Sequence, residues 1–212
     1  MRALLAERFG RLELPEGWVA DAARRRAERM IVKLSEYVDR SRKEGRRLLA
    51  TEVPVEVQVG RAVVRGQVDR LEADADGRLV VVDLKTGTSK PTADELPRHA
   101  QLGVYQVTVA EGGFSEVADG PHDPGRPHDP GRPHEPGGAL LVQLGSAGKR
   151  VSVQPQAALA EDEDPGWARR LVETVADGMG SGTFPATANP LCRVCRVRRC
   201  CPATPEGRSV GQ

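Results

Sequence analysis

VVVDLKTGTSK, residues 80–90, runs three valines into Asp83, one leucine and then Lys85. The chain holds 31 basic residues, and only five of them are lysine. The continuous apolar run predicts a strand buried on both faces, hence a central one. Residues two apart on a strand point to the same side, so Asp83 and Lys85 are expected to share a face. Upstream, ATEVPVEVQV (50–59) alternates and predicts a strand, with Pro54 marking an edge or a bulge. RAVVRGQVDRLEAD (61–74) gives a second strand after a turn at Gly60, and Ala75-Asp76-Gly77 is a tight-turn signal. Residues 50–86 therefore read as an antiparallel three-stranded meander. Its second hairpin sets Asp69 opposite a residue near 83, so two carboxylates converge beside an ammonium.

Before the meander, Val19, Ala22, Ala23, Ala27, Met30, Ile31, Leu34 and Val38 fall at helical spacing. They predict a long amphipathic helix over 19–47, with a basic outer face, Trp18 ahead of it and Gly45 at its end. After the meander, DELPRHAQLGVYQVTVAEGG (94–113) predicts a helix with Leu102, Tyr105 and Val109 along one side. Gln101 and Tyr105, four apart, share a face there. PHDPGRPHDPGRPHEPGG (121–138) is a six-residue repeat whose proline density excludes helix and central strand. It predicts an exposed, disordered loop over about 118–138. GGALLVQLG (137–145) and KRVSVQPQ (149–156) follow as paired strands, and DPGWARRLVETVADGM (164–179) as a last helix. FPATANPLCRVCRVRRCCPATPEGR (184–208) is a compact tail without periodicity. This order predicts an α/β sandwich with a C-terminal appendage.

Composition narrows the function classes. Hydrophobic residues make up 39% and aromatics only 3%, so Leu, Val and Ala must build the core. A net charge of +1 argues against an overall basic nucleic-acid glove. It leaves local patches at RRRAER, SRKEGRR and RVCRVRR. No apolar run approaches transmembrane length, and the N-terminus lacks the apolar region of a signal peptide. A cytoplasmic location with no membrane partner is the expectation. All four cysteines lie between Cys192 and Cys201. In a chain without an export signal this clustering points to metal or iron–sulfur ligation rather than disulfides.

Hard carboxylate oxygens are what Mg²⁺ or Mn²⁺ requires. Such an ion lowers the pKa of a water and stabilises charge on a phosphodiester. Lys85 would then orient that water or neutralise the phosphate, as a compact point charge unlike the arginines this chain prefers. Other readings stand beside this one. An Asp-x-Lys at a strand end is also a surface ion pair worth about 0–1 kcal/mol. Tyr105 is also a core aromatic, and Gln101 a solvated neighbour.

Taken together, GQVDRLE, VVVDLKTG and QLGVYQ resemble the PD-(D/E)XK nuclease superfamily, in particular its RecB-like exonuclease domains. There a G-x-x-D-R strand, a D-x-K-T-G strand and a Q-x-x-x-Y helix recur in this order. The resemblance spans roughly residues 18–205. It implies a restriction-endonuclease-like α/β fold, with a mixed central sheet flanked by helices, over residues 1–190. A cysteine-rich appendage would follow over 191–212. It also implies metal-dependent DNA cleavage, with Asp69, Asp83 and the main-chain carbonyl of Leu84 as ligands of Mg²⁺ or Mn²⁺. Lys85 would be the catalytic lysine, and Gln101 and Tyr105 would support the site and contact the DNA backbone. The run Cys192-x2-Cys195-x5-Cys201-Pro resembles the iron–sulfur staple of AddB-type helicase–nucleases and implies a 4Fe–4S cluster. A small zinc site is the alternative.

The chain departs from that pattern twice. The family's upstream histidine has no counterpart, since histidines occur only at 99, 122, 128 and 134. His99 falls in a different helix and the others belong to the repeat. The staple's far-upstream cysteine is also missing. Cys200, next to Cys201, is a poor substitute, because adjacent cysteines ligate together only with local strain. Both gaps suggest the C-terminal part of a longer helicase–nuclease of AddB/AdnB type, acting on DNA in double-strand-break repair with helicase domains or a partner subunit. No GxxxxGK[ST] motif occurs, so no ATPase activity is expected. The alternatives are a catalytically impaired DNA-binding remnant or scaffold and a zinc-binding interaction module.

Overall fold

The computed structural model describes residues 2–12, 17–119 and 134–208. They fall into two compact units, residues 1–173 and 174–212, with the boundary inside a helix. The first unit opens with α1 (Arg2–Phe9) and α2 (Trp18–Lys43). The meander follows as β1 (Arg47–Val59), β2 (Ala62–Ala73) and β3 (Leu79–Lys85). Next come α3 (Ala100–Ala110), the single turn α4 (Ser115–Ala118), β4 (Pro136–Gln143), β5 (Ser152–Gln156) and α5 (Trp167–Gly180). The second unit ends with two 3₁₀ turns, Pro190–Val194 and Arg198–Cys200, and α6 (Pro205–Arg208). No helix among the described residues is long and apolar enough to cross a membrane.

The five strands form one mixed sheet in the order β1-β2-β3-β4-β5. β1–β2, β2–β3 and β4–β5 pair antiparallel, while β3 and β4 pair parallel. The parallel pair needs a crossover, and the segment carrying α3 supplies it. Strand period decides the layers. Val80 and Val82 join Tyr37, Leu140, Val142 and Leu144 in one apolar cluster, against α2. Leu79 and Val81 join Leu71, Leu102, Val107, Leu141 and Ala168 in the other. β3 is buried on both faces, as its unbroken apolar run predicts. Pro54 lies on the edge strand β1, where a missing N–H costs no ladder bond. The β1 bulge sits elsewhere, between Leu48 and Ala50.

Several boundaries differ from expectation. α2 ends at Lys43 and the chain is already in β1 by Arg47, because Gly45 takes φ +76° and stops the helix as a left-handed cap. Trp18 and Val19 are exposed, and Tyr37, absent from the apolar periodicity, is instead the fully buried anchor of α2. α3 begins at Ala100 rather than near 94, since Pro97 and its preceding residue resist helical backbone. Pro136 opens β4, a first-strand position that proline tolerates, so the strand starts inside the segment expected to be loop. The rest of the repeat, with His122 and His128, lies outside the described residues. His134 lies within them, 3.7 Å from Asp119.

Gly145, just after β4, packs directly on the backbone of Thr86 and Gly87. A methyl group there would overlap the Thr86 carbonyl, which backbone cannot yield cheaply. Gly145→Ala is expected to cost about 1–3 kcal/mol, read as a lower denaturant midpoint at unchanged slope.

Candidate active site

Arg70 pairs with Val82 across β2 and β3, so Asp69 and Asp83 are the next residue on each strand. The Asp69 carboxylate closes this end of the ladder by accepting a hydrogen bond from the Leu84 N–H at 2.6 Å. Asp83 lies on the face opposite Val82, toward α3, and is only 5% exposed. A surface ion pair is therefore the wrong description of the Asp-x-Lys pair.

Asp83 and the three polar side chains around it, Lys85, Gln101 and Tyr105, form one network. Oδ1 of Asp83 accepts from Gln101 Nε2 at 2.9 Å and lies 3.4 Å from the Tyr105 hydroxyl. Gln101 Nε2 also donates to the Tyr105 oxygen at 2.8 Å. Lys85 Nζ donates to Gln101 Oε1 at 2.8 Å. The amide of Gln101 thus faces the ammonium with its oxygen and the carboxylate with its NH₂. The flipped amide would set donor against donor on one side and acceptor against acceptor on the other. The helical spacing that puts Gln101 and Tyr105 on one face is what lets a single turn of α3 read both charges.

Asp83 Oδ2 is different. Lys85 Nζ approaches it to 2.9 Å as an ion pair, yet this buried oxygen receives no hydrogen bond of acceptable geometry. A buried carboxylate oxygen in that state has lone pairs left for a cation. Among the described residues no three His, Cys, Asp or Glu side chains are gathered as a metal site. Mg²⁺ asks for less, since it is held by one or two carboxylates with waters and substrate phosphates completing its shell. The pair Asp69 and Asp83 fits a hard divalent cation on those terms.

Burial, then the charges of Asp83 and Asp69, raise the pKa of Tyr105 above the ordinary phenol value, although its bond from Gln101 works the other way. The phenol therefore stays protonated and able to donate. His99 immediately precedes α3 rather than lying within it. Its Nδ1 is buried without a hydrogen-bond partner. Burial, and next the Lys85 ammonium, lower its pKa, while Asp83 and Glu95 pull the other way. Protonation of His99 therefore opposes folding. The stability tied to the neutral ring is complete above the ordinary imidazole pKa and is lost as pH falls through the lowered value. Denaturant unfolding just below pH 6.5 should show a steeper acid loss for wild type than for His99→Gln.

On the other face of the sheet lies a charged cluster that no motif in the sequence marks. Glu72 is completely buried. Its Oε2 accepts from Tyr37 at 3.1 Å and Ser41 at 2.8 Å and sits 3.1 Å from Arg46 Nε, while its Oε1 pairs with Arg70. Arg70 also lies over the Tyr37 ring, 5.9 Å from its centre. Burial raises the Tyr37 pKa first, with the Glu72 charge second. The available signal was Arg70 and Glu72 alternating with Asp69 and Leu71, which puts both charges on the inward face toward α2.

The cysteines of the second unit do not assemble. All four are free, with Cys195 and Cys200 exposed. The Cys192 thiol accepts the Asn189 N–H at 3.2 Å and the Cys200 thiol lies 3.5 Å from the Val197 carbonyl, each serving its own 3₁₀ turn. Among the described residues, Cys192, Cys195, Cys200 and Cys201 included, no three such side chains gather in one place.

The mixed sheet carries helices on both faces and two carboxylates at the end of its central hairpin. The sequence model of the PD-(D/E)XK nuclease superfamily matches residues 1–202, and the chain belongs to that superfamily. Membership implies nuclease chemistry, for which divalent metals are the usual partners. No curated protein matches the chain. Among solved structures, one titled "Crystal structure of SSO0001" is similar at 20% identity and a TM-score of 0.42, covering 82% of this chain and 68% of its own.

Proposed function

We propose that the chain is a metal-dependent deoxyribonuclease domain, exonuclease-like, of a RecB-like helicase–nuclease of AddB/AdnB type that works in the cytoplasm in double-strand-break repair. The observation that carries the nuclease part is the buried Asp83 oxygen without a hydrogen bond, one strand away from Asp69 and beside Lys85. The order of the three motifs supports the RecB-like part. Asp69, Asp83 and the Leu84 carbonyl would hold Mg²⁺ or Mn²⁺, which supplies charge to acidify a water and to stabilise the phosphodiester.

The chain's own groups do the rest. Gln101 holds Asp83 and Lys85 in fixed orientation, so neither must reorganise when charge develops. Lys85 offers its ammonium to the phosphate, whose negative charge grows as water's oxygen forms the new P–O bond and the bond to one sugar oxygen breaks. That leaving oxygen ends as a hydroxyl, and the proton it gains balances the one the attacking water gives up. Tyr105 keeps its proton and braces Asp83. Helicase domains or a partner subunit would deliver the DNA.

The test is incubation of the purified chain with linear DNA in Mg²⁺, in Mn²⁺ and in EDTA. Loss of DNA only with metal is expected, and intact DNA under every metal condition, with folding verified, would refute the reading. A remnant that binds DNA without cutting is the second reading, favoured by the absence of a third acidic or histidine ligand among the described residues. It predicts binding without cleavage in the same assay. The cysteine tail enters only through its spacing, and iron and zinc analysis of the purified chain tests it.

A further inference from the structure

Behind the strand end that carries Lys85 lies a groove between α2 and the β4–β5 connection. It consists of two cavities, of about 610 and about 430 Å³, that share Arg29, Lys33, Ala147 and Gly148. Lys33 is only 3% exposed. Its ammonium donates to the Ser146 carbonyl at 2.6 Å and the Ser146 hydroxyl at 3.2 Å. Both acceptors are neutral, and among the described residues no carboxylate pairs with it. Arg25, Arg29 and Lys149 also line the groove, and their side chains make no hydrogen bond or ion pair with the described residues. The single acid in the lining, Glu28, is already engaged by Arg24 at 3.3 Å.

A chain with a net charge of only +1 thus concentrates uncompensated cations, one of them buried, in a single concavity. Like charges so placed repel, and a polyanion relieves them. α1 adds an apolar side to the groove through Leu5 and Phe9. Cations from α2 and the β4–β5 connection together with an aromatic from α1 suit a strand whose phosphates face the charges and whose unpaired bases reach the ring. A duplex would hide those bases.

The groove also adjoins the candidate active site through the backbone. The Lys85 carbonyl accepts the N–H groups of Leu144 and Gly145, at 2.9 and 3.1 Å. Arg26 bonds the Thr86 carbonyl at 2.8 Å, and Thr88 forms part of the inner cavity's rim. The three residues from Lys85 to Thr88 span at most about 10 Å, on the order of a few nucleotides of a strand.

We infer that this groove seats the phosphodiester backbone of single-stranded nucleic acid beside the cleavage site. The inference rests on the nuclease reading for its direction toward Lys85, but its test reads binding and not cleavage.

Anisotropy of a fluorescein-labelled single-stranded oligodeoxynucleotide, in EDTA and across a salt series, compares wild type with Arg25→Ala/Arg29→Ala and with Phe9→Ala. Arg25 and Arg29 are exposed, so the double variant should keep the wild-type far-UV spectrum. It is expected to lose about ten-fold or more in affinity, and the slope of log K against log salt should shrink by about one per lost phosphate contact. Phe9→Ala should lose roughly five-fold or more at unchanged slope. Wild-type affinity and slope in the double variant would overturn the inference. Duplex bound as tightly as single strand, with Phe9→Ala silent, would overturn the single-strand assignment. So would calorimetric binding of tripolyphosphate abolished by the double variant while oligonucleotide binding is untouched, which would make this a seat for free oligophosphate. Metal-dependent cleavage is scored separately. A chain that cleaves while the double variant binds normally loses the groove and keeps the nuclease reading. One that binds through the groove but cleaves in no metal does the reverse.

Discussion

Asp83→Asn is expected to abolish metal-dependent cleavage while leaving the fold intact. The substitution is nearly isosteric, and an asparagine oxygen can still accept from Gln101 and Tyr105 as Asp83 Oδ1 does. What disappears is the second oxygen, the buried one without a hydrogen bond. In its place an NH₂ faces the Lys85 ammonium, now at 2.9 Å from a carboxylate. Donor then meets donor, the lysine shifts, and both the proposed metal ligand and the placement of the charge on the phosphate are lost. A loss on the order of 10³-fold or more in cleavage rate follows, since one preorganised electrostatic group alone is commonly worth about 10²–10³. A second readout separates ligation from general damage. If the carboxylates hold the ion, saturating Mn²⁺ raises the wild-type melting temperature by mass action and leaves that of Asp83→Asn unmoved. Lys85→Met should lose cleavage yet retain the Mn²⁺-induced shift. Cleavage by Asp83→Asn at the wild-type rate would remove Asp83 from the chemistry.

The largest stability effect is expected at Glu72, away from the candidate active site. Its carboxylate is fully buried among Tyr37, Ser41, Arg46 and Arg70. Burying two guanidinium groups is tolerable only because this carboxylate compensates them and its own lone pairs are filled. Glu72→Ala leaves Arg70, only 9% exposed, without a counter-charge, and leaves Arg46 with Glu44 as its remaining ion-pair partner. It also strands two hydroxyls. A loss of about 3–5 kcal/mol is expected, seen as a lower urea midpoint with the slope unchanged. Glu72→Gln keeps acceptors for Tyr37 and Ser41 and should fall between the two. A Glu72→Ala chain as stable as wild type would mean the network is neutral to the fold and serves specificity at most. The cluster ties α2 to β2, the strand that also carries Asp69, so its loss should also loosen the site from the opposite face.

The chain's local signals determined the meander, its two turns and the central position of β3. Alternation of period two, a continuous valine run and turn-forming glycines are properties of neighbouring residues and need no tertiary information. The same locality made Asp69, Asp83, Lys85, Gln101 and Tyr105 readable as candidates. A hairpin register sets the first two side by side, and a strand or helix period aligns the others.

Tertiary structure alone decided the parallel pairing of β3 with β4. That pairing closes across the segment from Thr86 to Glu135, and no local pattern specifies a partner so distant. It also decided which face of the sheet each charge enters. Asp83 turns to α3 and Glu72 to α2, and only there do burial and partners distinguish a carboxylate with an oxygen that accepts no hydrogen bond from one whose oxygens both have partners. A sequence interval states which thiols are near in the chain, whereas ligation requires their sulfurs to converge in space; in the tail the Cys192 and Cys200 thiols each contact the backbone of their own 3₁₀ turn. Lys33 marks the same boundary. In sequence it is one more cation on a basic helix, and it becomes a buried, uncompensated charge only because the β4–β5 connection folds over it.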